Sequence, residues 1–232
     1  MTRNARTYEH ACLTARTLEL VGERWTLLVI RDLLSGPKRY TDLMDRLGGI
    51  TPKTLSVRLG ELEEAGLVSA DREPGRREVW YALTLAGADL RPVVDALGWW
   101  GLQHAWRAPR PGERLHPEHL LRAAINAVDH ADNAGDNPEP AIWRFRVDGG
   151  DYYAEFDGSR WTLTVQRPTA PTDVTVTATT TALAAFIATG RDQDVDIAGP
   201  PAHVERFRRL IATMSTIVSS QMEPGGLDIP GA

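Results

Sequence analysis

Thr51, Lys53, Ser56 and Val57 fall within one short stretch and combine a helix-capping hydroxyl, an ammonium, a second hydroxyl and an apolar side chain. Such a set can meet a phosphate, bond a base edge and touch a thymine methyl, which are the contacts a helix end makes in the major groove of double-stranded DNA. A second set is cationic. Arg72, Arg76 and Arg77 crowd the polar turn Asp71-Arg72-Glu73-Pro74-Gly75-Arg76-Arg77, and Arg24, Lys38 and Arg39 lie upstream. Arginines at a loop tip suit phosphate oxygens, although Glu73 and Glu78 offer local ion pairs instead. Catalysis has no comparable set. A phosphate-cradling P-loop, a nucleophile elbow and an HExxH pair are all missing. His116 and His119 lack a third ligand, so no metal is expected. Asp192, Asp194 and Asp196 near His203 describe the solvent side of an edge strand as well as they describe an acid–base site. The expectation is a non-enzyme without a cofactor.

These side chains need elements to hold them. Leu13, Ala15, Leu18 and Val21 recur at helical spacing up to Gly22, and Trp25, Leu28, Val29 and Leu33 recur up to Ser35-Gly36-Pro37. Both stripes require a common core. Tyr40, Leu43, Met44 and Leu47 make a third helix stopped by Gly48-Gly49, and Thr51-Pro52 opens a fourth, over 52–65, as N-cap and first helical residue. Two short helices around a glycine turn form a helix-turn-helix. On the fourth helix Leu55, Leu59 and Leu62 define the inner side, which leaves Lys53, Val57 and Gly60 outward with Ser56 on the flank. Val68 and Ala70, then Val79, Tyr81 and Leu83, alternate at period two on either side of the arginine-rich turn, which predicts a two-stranded wing. A linking helix from Leu85 to about Trp106 carries Leu90, Val93, Val94, Leu97, Trp100 and Leu102. That surface needs cover, either from the same helix of a second subunit or from the chain's own second half.

The ordered motifs "GERWTLLVIRDLLSGPKRYTDL", "GITPKTLSVRLGELEEAGLV", "VWYALTLAG" and "ALGWWG", with Cys12 ahead of them, resemble the HxlR-type winged helix-turn-helix regulators of bacteria over Cys12 to Gly101. The resemblance implies a homodimer that binds a near-palindromic operator and represses or activates nearby genes. It assigns the linking helix a dimer role. Some members of that family sense oxidants through the cysteine, so Cys12 is a candidate redox switch; the family's cysteine is commonly followed by proline, and here Leu13 follows. As a residue alone, Cys12 also reads as a small hydrophobe beside the first helix.

Beyond Trp106 the stretch "RAPRPGERLHP" reads as a linker, 108–117, between a first domain over 1–107 and a second over 118–232. The second domain is expected as a helix over Glu118 to Asp132, antiparallel strands over Ile142 to Val147, Tyr152 to Phe156, Trp161 to Gln166 and Asp173 to Ala178, a helix through Leu183, Phe186 and Ile187, a short strand over Val195 to Ala198, and a last helix from His203 to about Ser220. The overall fold class is α+β. The order, with "LAAFIATG" and a turn at Asp196-Ile197-Ala198-Gly199, resembles the sterol carrier protein-like fold over roughly 116–220. That resemblance implies a tunnel for a small hydrophobic ligand, with Trp143, Phe145, Tyr153, Phe156, Trp161, Leu183, Phe186, Ile187 and Phe207 as candidate lining. The same aromatics equally make an ordinary core.

Charge is divided unevenly. Residues 1–107 hold 15 basic and 14 acidic side chains, and the remainder hold 11 and 17, so the chain's net charge of −5 resides in the second half. A local basic face is compatible with an acidic total. With no run of 18 apolar residues and no leader pattern, the expectation is a cytoplasmic protein that does not enter a membrane. The alternative from another class is a lipid or small-molecule carrier whose winged helix mediates protein association.

Overall fold

The computed structural model describes residues 7–72, 75, 78–107, 109–131 and 139–221. They divide into two compact units, 1–94 and 95–232, and the division falls inside a helix, ahead of the proline-rich stretch.

In the first unit α1 (Leu13–Val21), α2 (Thr26–Leu33), α3 (Tyr40–Leu47) and α4 (Pro52–Glu64) follow one another with short turns. Their boundaries are chemical. Gly48 and Gly49 end α3 with φ of 48° and 68°, a conformation that side chains other than glycine rarely adopt. Thr51 then caps α4, its Oγ1 accepting the Thr54 N–H at 3.2 Å, and Pro52 occupies the first turn, where no N–H is required. The core forms around Val29, Ile30, Leu33, Leu43, Leu55, Leu59 and Leu62, so the inner stripe expected for α4 is the one observed. Of α1, Val21 alone is buried, while Leu13, Leu18 and Leu20 are exposed. Apart from Val21, its stripe therefore does not join the common core.

The wing is larger than expected. β2 (Val68–Asp71) and β3 (Trp80–Leu83) pair antiparallel as predicted, and β1 (Lys38–Arg39) adds a third strand by pairing with β3, Lys38 opposite Tyr81. Two residues carry no periodicity that could have announced it. The expected linking helix is broken: α5 (Leu85–Ala88) ends at Asp89 and α6 (Arg91–His104) starts afresh. Pro92 explains the restart, because proline inside a continuous helix would lose a hydrogen bond and strike the preceding turn. Gly87 in α5 lies so close to Leu67 that a Cβ would come within 2.0 Å of its carbonyl oxygen.

The second unit contains α7 (Pro117–Ala131), β4 (Ala141–Val147), β5 (Gly150–Phe156), β6 (Trp161–Thr164), β7 (Val174–Ala178), α8 (Thr180–Thr189), β8 (Asp196–Ala198) and α9 (Pro201–Gln221). The sheet order is β6-β5-β4-β7-β8. It is mixed, since β7 runs parallel to β4, and this corrects the all-antiparallel expectation. Ala141, Trp143, Phe145 and Val147 alternate along β4 into a core shared with Leu121 of α7, Phe186 of α8 and Phe207 of α9. The end of α6 belongs to this unit too: Trp99 and Leu102 pack on the same core, and Asn126 Nδ2 donates to the Asp95 carbonyl. Among the described residues no helix is long and apolar enough to cross a membrane.

Candidate nucleic-acid interface

On α4, burial of Leu55, Leu59 and Leu62 turns Lys53 and Ser56 to solvent and leaves Val57 and Gly60 half-exposed. A Cβ at Gly60 would meet no atom within 4 Å, so a partner can approach the backbone there. Ser56 Oγ lies 3.2 Å from the Tyr40 hydroxyl, which itself donates to the Pro52 carbonyl at 2.8 Å. Tyr40 thus ties α3 to the first turn of α4. Thr51 Oγ1 is occupied by the Thr54 N–H and hydroxyl, which makes it a cap before it is a contact.

The expected cations separate into different environments. Arg24 is exposed, its guanidinium 5.2 Å from the Trp25 ring centre. Lys38 is only 5% exposed and its Nζ donates to Ser35 Oγ at 3.1 Å, so β1 carries its ammonium inward and away from the basic face. Arg39 bonds Asp42 through Nε and Nη2 at 3.2 Å each and Glu78 through Nη1 at 3.0 Å. Arg72 meets both carboxylate oxygens of Glu63, at 2.8 and 2.7 Å. The acid that pairs with Arg72 is therefore on α4 and not in the neighbouring turn. Arg76 and Arg77 lie outside the described residues. Arg58, which sequence reasoning passed over, is buried on α4 and bonds Glu61 at 2.7 Å, with Glu23 at 3.6 Å. Its signal was faint: an arginine next to Leu59 looks like any helix-surface cation.

These pairs fix charge states. The Arg72 guanidinium holds the Glu63 carboxyl below its ordinary range against a smaller opposing effect of burial. At Asp42 burial pushes upward, and the hydrogen bonds and charge of Arg39 outweigh it to leave the carboxyl lowered. Cys12 is exposed at the start of α1, and its thiol is lowered chiefly by the Ala15 and Thr14 backbone N–H groups. Arg16 is tied there by its own N–H to the Cys12 carbonyl.

The aromatic set of the second unit is closely packed. Trp143 lies 4.2 Å from Trp161 and 4.8 Å from Phe207, centre to centre. Trp143, Phe145, Trp161, Leu183, Phe186 and Ile187 border an apolar hollow of about 20 Å³, room for one water molecule and not for the tunnel expected. Phe156 and Phe207 do not border it. Tyr153 lies on the opposite sheet face, in register with Arg144 and Thr164, whereas its neighbours Tyr152 and Ala154 share the face of Phe145 and Trp143. His116 and His119 meet edge to face at 5.1 Å, and no cluster of three or more His, Cys, Asp or Glu able to hold a metal occurs among the described residues. His203 pairs with Asp173 at 3.5 Å and Asp192 with Arg208 at 2.8 Å, so the histidine and that aspartate are engaged by different partners.

Helices α3 and α4 around a glycine turn, followed by a small antiparallel sheet, define a winged helix-turn-helix protein. A family of HxlR-like helix-turn-helix proteins matches residues 20–108. An HTH-type transcriptional regulator of Bacillus subtilis, YkvN, is 37% identical over 109 residues, covering 45% of this chain and 91% of its own. The chain belongs to the HxlR-like family. A second HTH-type transcriptional regulator, from Mycobacterium tuberculosis, is 46% identical over 103 residues, covering 43% of this chain and 63% of the relative. A third, from Synechocystis, is 36% identical over 89 residues and covers 38% and 66%. The chain thus spans about two thirds of the length of those two relatives. The reduced form of the transcriptional regulator YodB from Bacillus subtilis is a similar solved structure, at 31% identity, 45% and 100% coverage and a TM-score of 0.36.

Proposed function

We propose that this chain is a cytoplasmic, homodimeric transcription regulator that reads a near-palindromic operator, with α4 in the major groove of double-stranded DNA and the wing on the backbone. The outward face of α4 carries this reading: Lys53, Ser56, Val57 and Gly60 stand free of the core on the helix that the helix-turn-helix presents. The dimer draws support from apolar surface with no cover in one copy. Val93, Leu97 and Trp100 are exposed along α6, as are Leu13, Leu18 and Leu20 on α1. A two-fold axis made by those helices suits two operator half-sites. Arg24, Thr51, Arg76 and Arg77 serve as phosphate contacts in this scheme.

The test is fluorescence anisotropy on the gene's upstream intergenic DNA against a scrambled duplex of equal length, at several salt concentrations. Tight binding that prefers the native sequence and weakens steeply with salt is the expected result. Equal, weak binding to both duplexes would refute the reading.

A second reading makes the carboxyl-terminal half a sterol carrier-like sensor or carrier of a small hydrophobic ligand. The wholly apolar border of the hollow favours it. Ligand sites of that kind enclose roughly 300 Å³ or more, so a ligand would have to part α7 and α8 from the sheet before entering.

A further inference from the structure

We infer that Glu63 and Arg72 are positioning residues that set the wing against α4, and that Arg39 with Glu78 does the same for the wing's other leg against α3; this rests on the DNA-binding reading above. Arg72 is the first residue beyond β2, and Glu78 precedes β3 by one residue, Val79. One leg is thereby tied to α4 and the other to the β1 residue that caps α3, each just outside the paired residues of the hairpin.

The geometry of each tie restricts orientation as well as distance. Two nitrogens of Arg72 face two oxygens of Glu63, at 2.8 and 2.7 Å, a planar fork that a single contact would not impose. Glu63 sits in the last turn of α4, with its side chain 25% exposed, so the anchor end is the firmer one. On the other leg Arg39, the last residue of β1, is the N-cap of α3: its N–H donates to Asp42 Oδ2 at 3.0 Å, and its guanidinium returns to the same carboxylate. Only Nη1 is left to reach across to Glu78, and the plane of Trp80 in β3 lies beneath, 5.7 Å from the guanidinium carbon. A hairpin of two short strands is only marginally stable by itself, and the third strand, β1, adds just two residues to it. The two ties add rigidity from the end of α4 and the start of α3.

Direct phosphate contact by Arg72 is the competing assignment, and it gives Glu63 the opposite sign. If Arg72 served phosphate, Glu63 would be a competitor, and Glu63→Gln would tighten DNA binding. As a positioning pair, Glu63→Gln and Arg72→Gln each weaken operator binding by about fivefold, and the swap Glu63→Arg with Arg72→Glu restores it to within about threefold of wild type. In this scheme Arg72→Gln leaves the salt slope unchanged, whereas loss of a phosphate contact lowers it by about 0.9. Binding tightened by Glu63→Gln, or a swap as weak as Arg72→Glu alone, would overturn the inference. Hydrogen exchange on the DNA-free full chain separates this from failure of the DNA reading. Amides of 68–71 and 80–83 should exchange severalfold faster in Glu63→Gln while those of Leu55 to Leu62 keep their protection, and unchanged wing exchange would overturn the clamp whatever the DNA result.

Discussion

Single side chains decide what the candidate interface can do. Lys53 is exposed and Val57 half-exposed on the outward side of α4; if that side reads bases as proposed, Lys53→Ala and Val57→Ala should each reduce discrimination between operator and scrambled duplex by about 1 kcal/mol or more, read from paired anisotropy titrations. An equal loss on both duplexes would reassign them to the backbone. Glu63 makes a pH prediction. Its folded carboxyl is depressed, chiefly by the Arg72 hydrogen bond. A depressed carboxylate stabilises the fold above its unfolded value, and that contribution is lost as pH falls through the folded value. The difference in melting temperature between wild type and Glu63→Gln should thus be full near neutrality and close below the ordinary glutamate value of 4.5; a gap unchanged in acid would remove the pair as its source. At Cys12 the lowered thiol favours the reactive thiolate. If it is a switch, Cys12→Ser abolishes release of DNA by peroxide, and persistence of that release in the variant rules the switch out.

At the level of elements, local periodicity spoke for whatever is held locally. The Leu55, Leu59 and Leu62 spacing gave the buried side of α4, and Leu59→Ala should cost about 2–5 kcal/mol in urea unfolding of the first unit; a loss below 1 kcal/mol would mean that the site collapses freely. The Thr51-Pro52 pair marked the start of α4 because capping chemistry is written in adjacent residues. Long-range pairing is not so written. β1 exists only because Lys38 and Arg39 find β3, and that pairing turns the Lys38 ammonium into the core. The parallel seat of β7 beside β4 likewise depends on partners 31 residues earlier in the chain. Tyr153 and Phe156 stand three apart on one strand, and period two forbids both from lining the same side. The Pro92 break was also legible, and the apolar run simply drowned it out.

Across the whole chain charge is divided unevenly, with the acidic excess beyond residue 107. Exposed Leu97 and Trp100 predict self-association. Leu97→Glu with Trp100→Glu should sediment as a monomer and bind a full operator at least tenfold more weakly, since linking two half-sites multiplies affinity; a wild-type monomer by sedimentation would dispose of the two-fold scheme. The filled aromatic core predicts that a fatty-acid probe leaves tryptophan emission and melting temperature unchanged. A saturable shift would show that α7 and α8 open.

The burial of Lys38 has a consequence for chemistry done on the protein. The sequence contains only two lysines, Lys38 and Lys53, all its other cations being arginine. With one amine enclosed and the other on the exposed first turn of α4, any acylating reagent or lysine-directed modification acting on the folded chain is channelled, apart from a terminal amine, to a single address. Acetylation there would erase the one lysine charge on the outward face of α4, and the extent of labelling with and without operator DNA would test the proposed reading face without a single mutation.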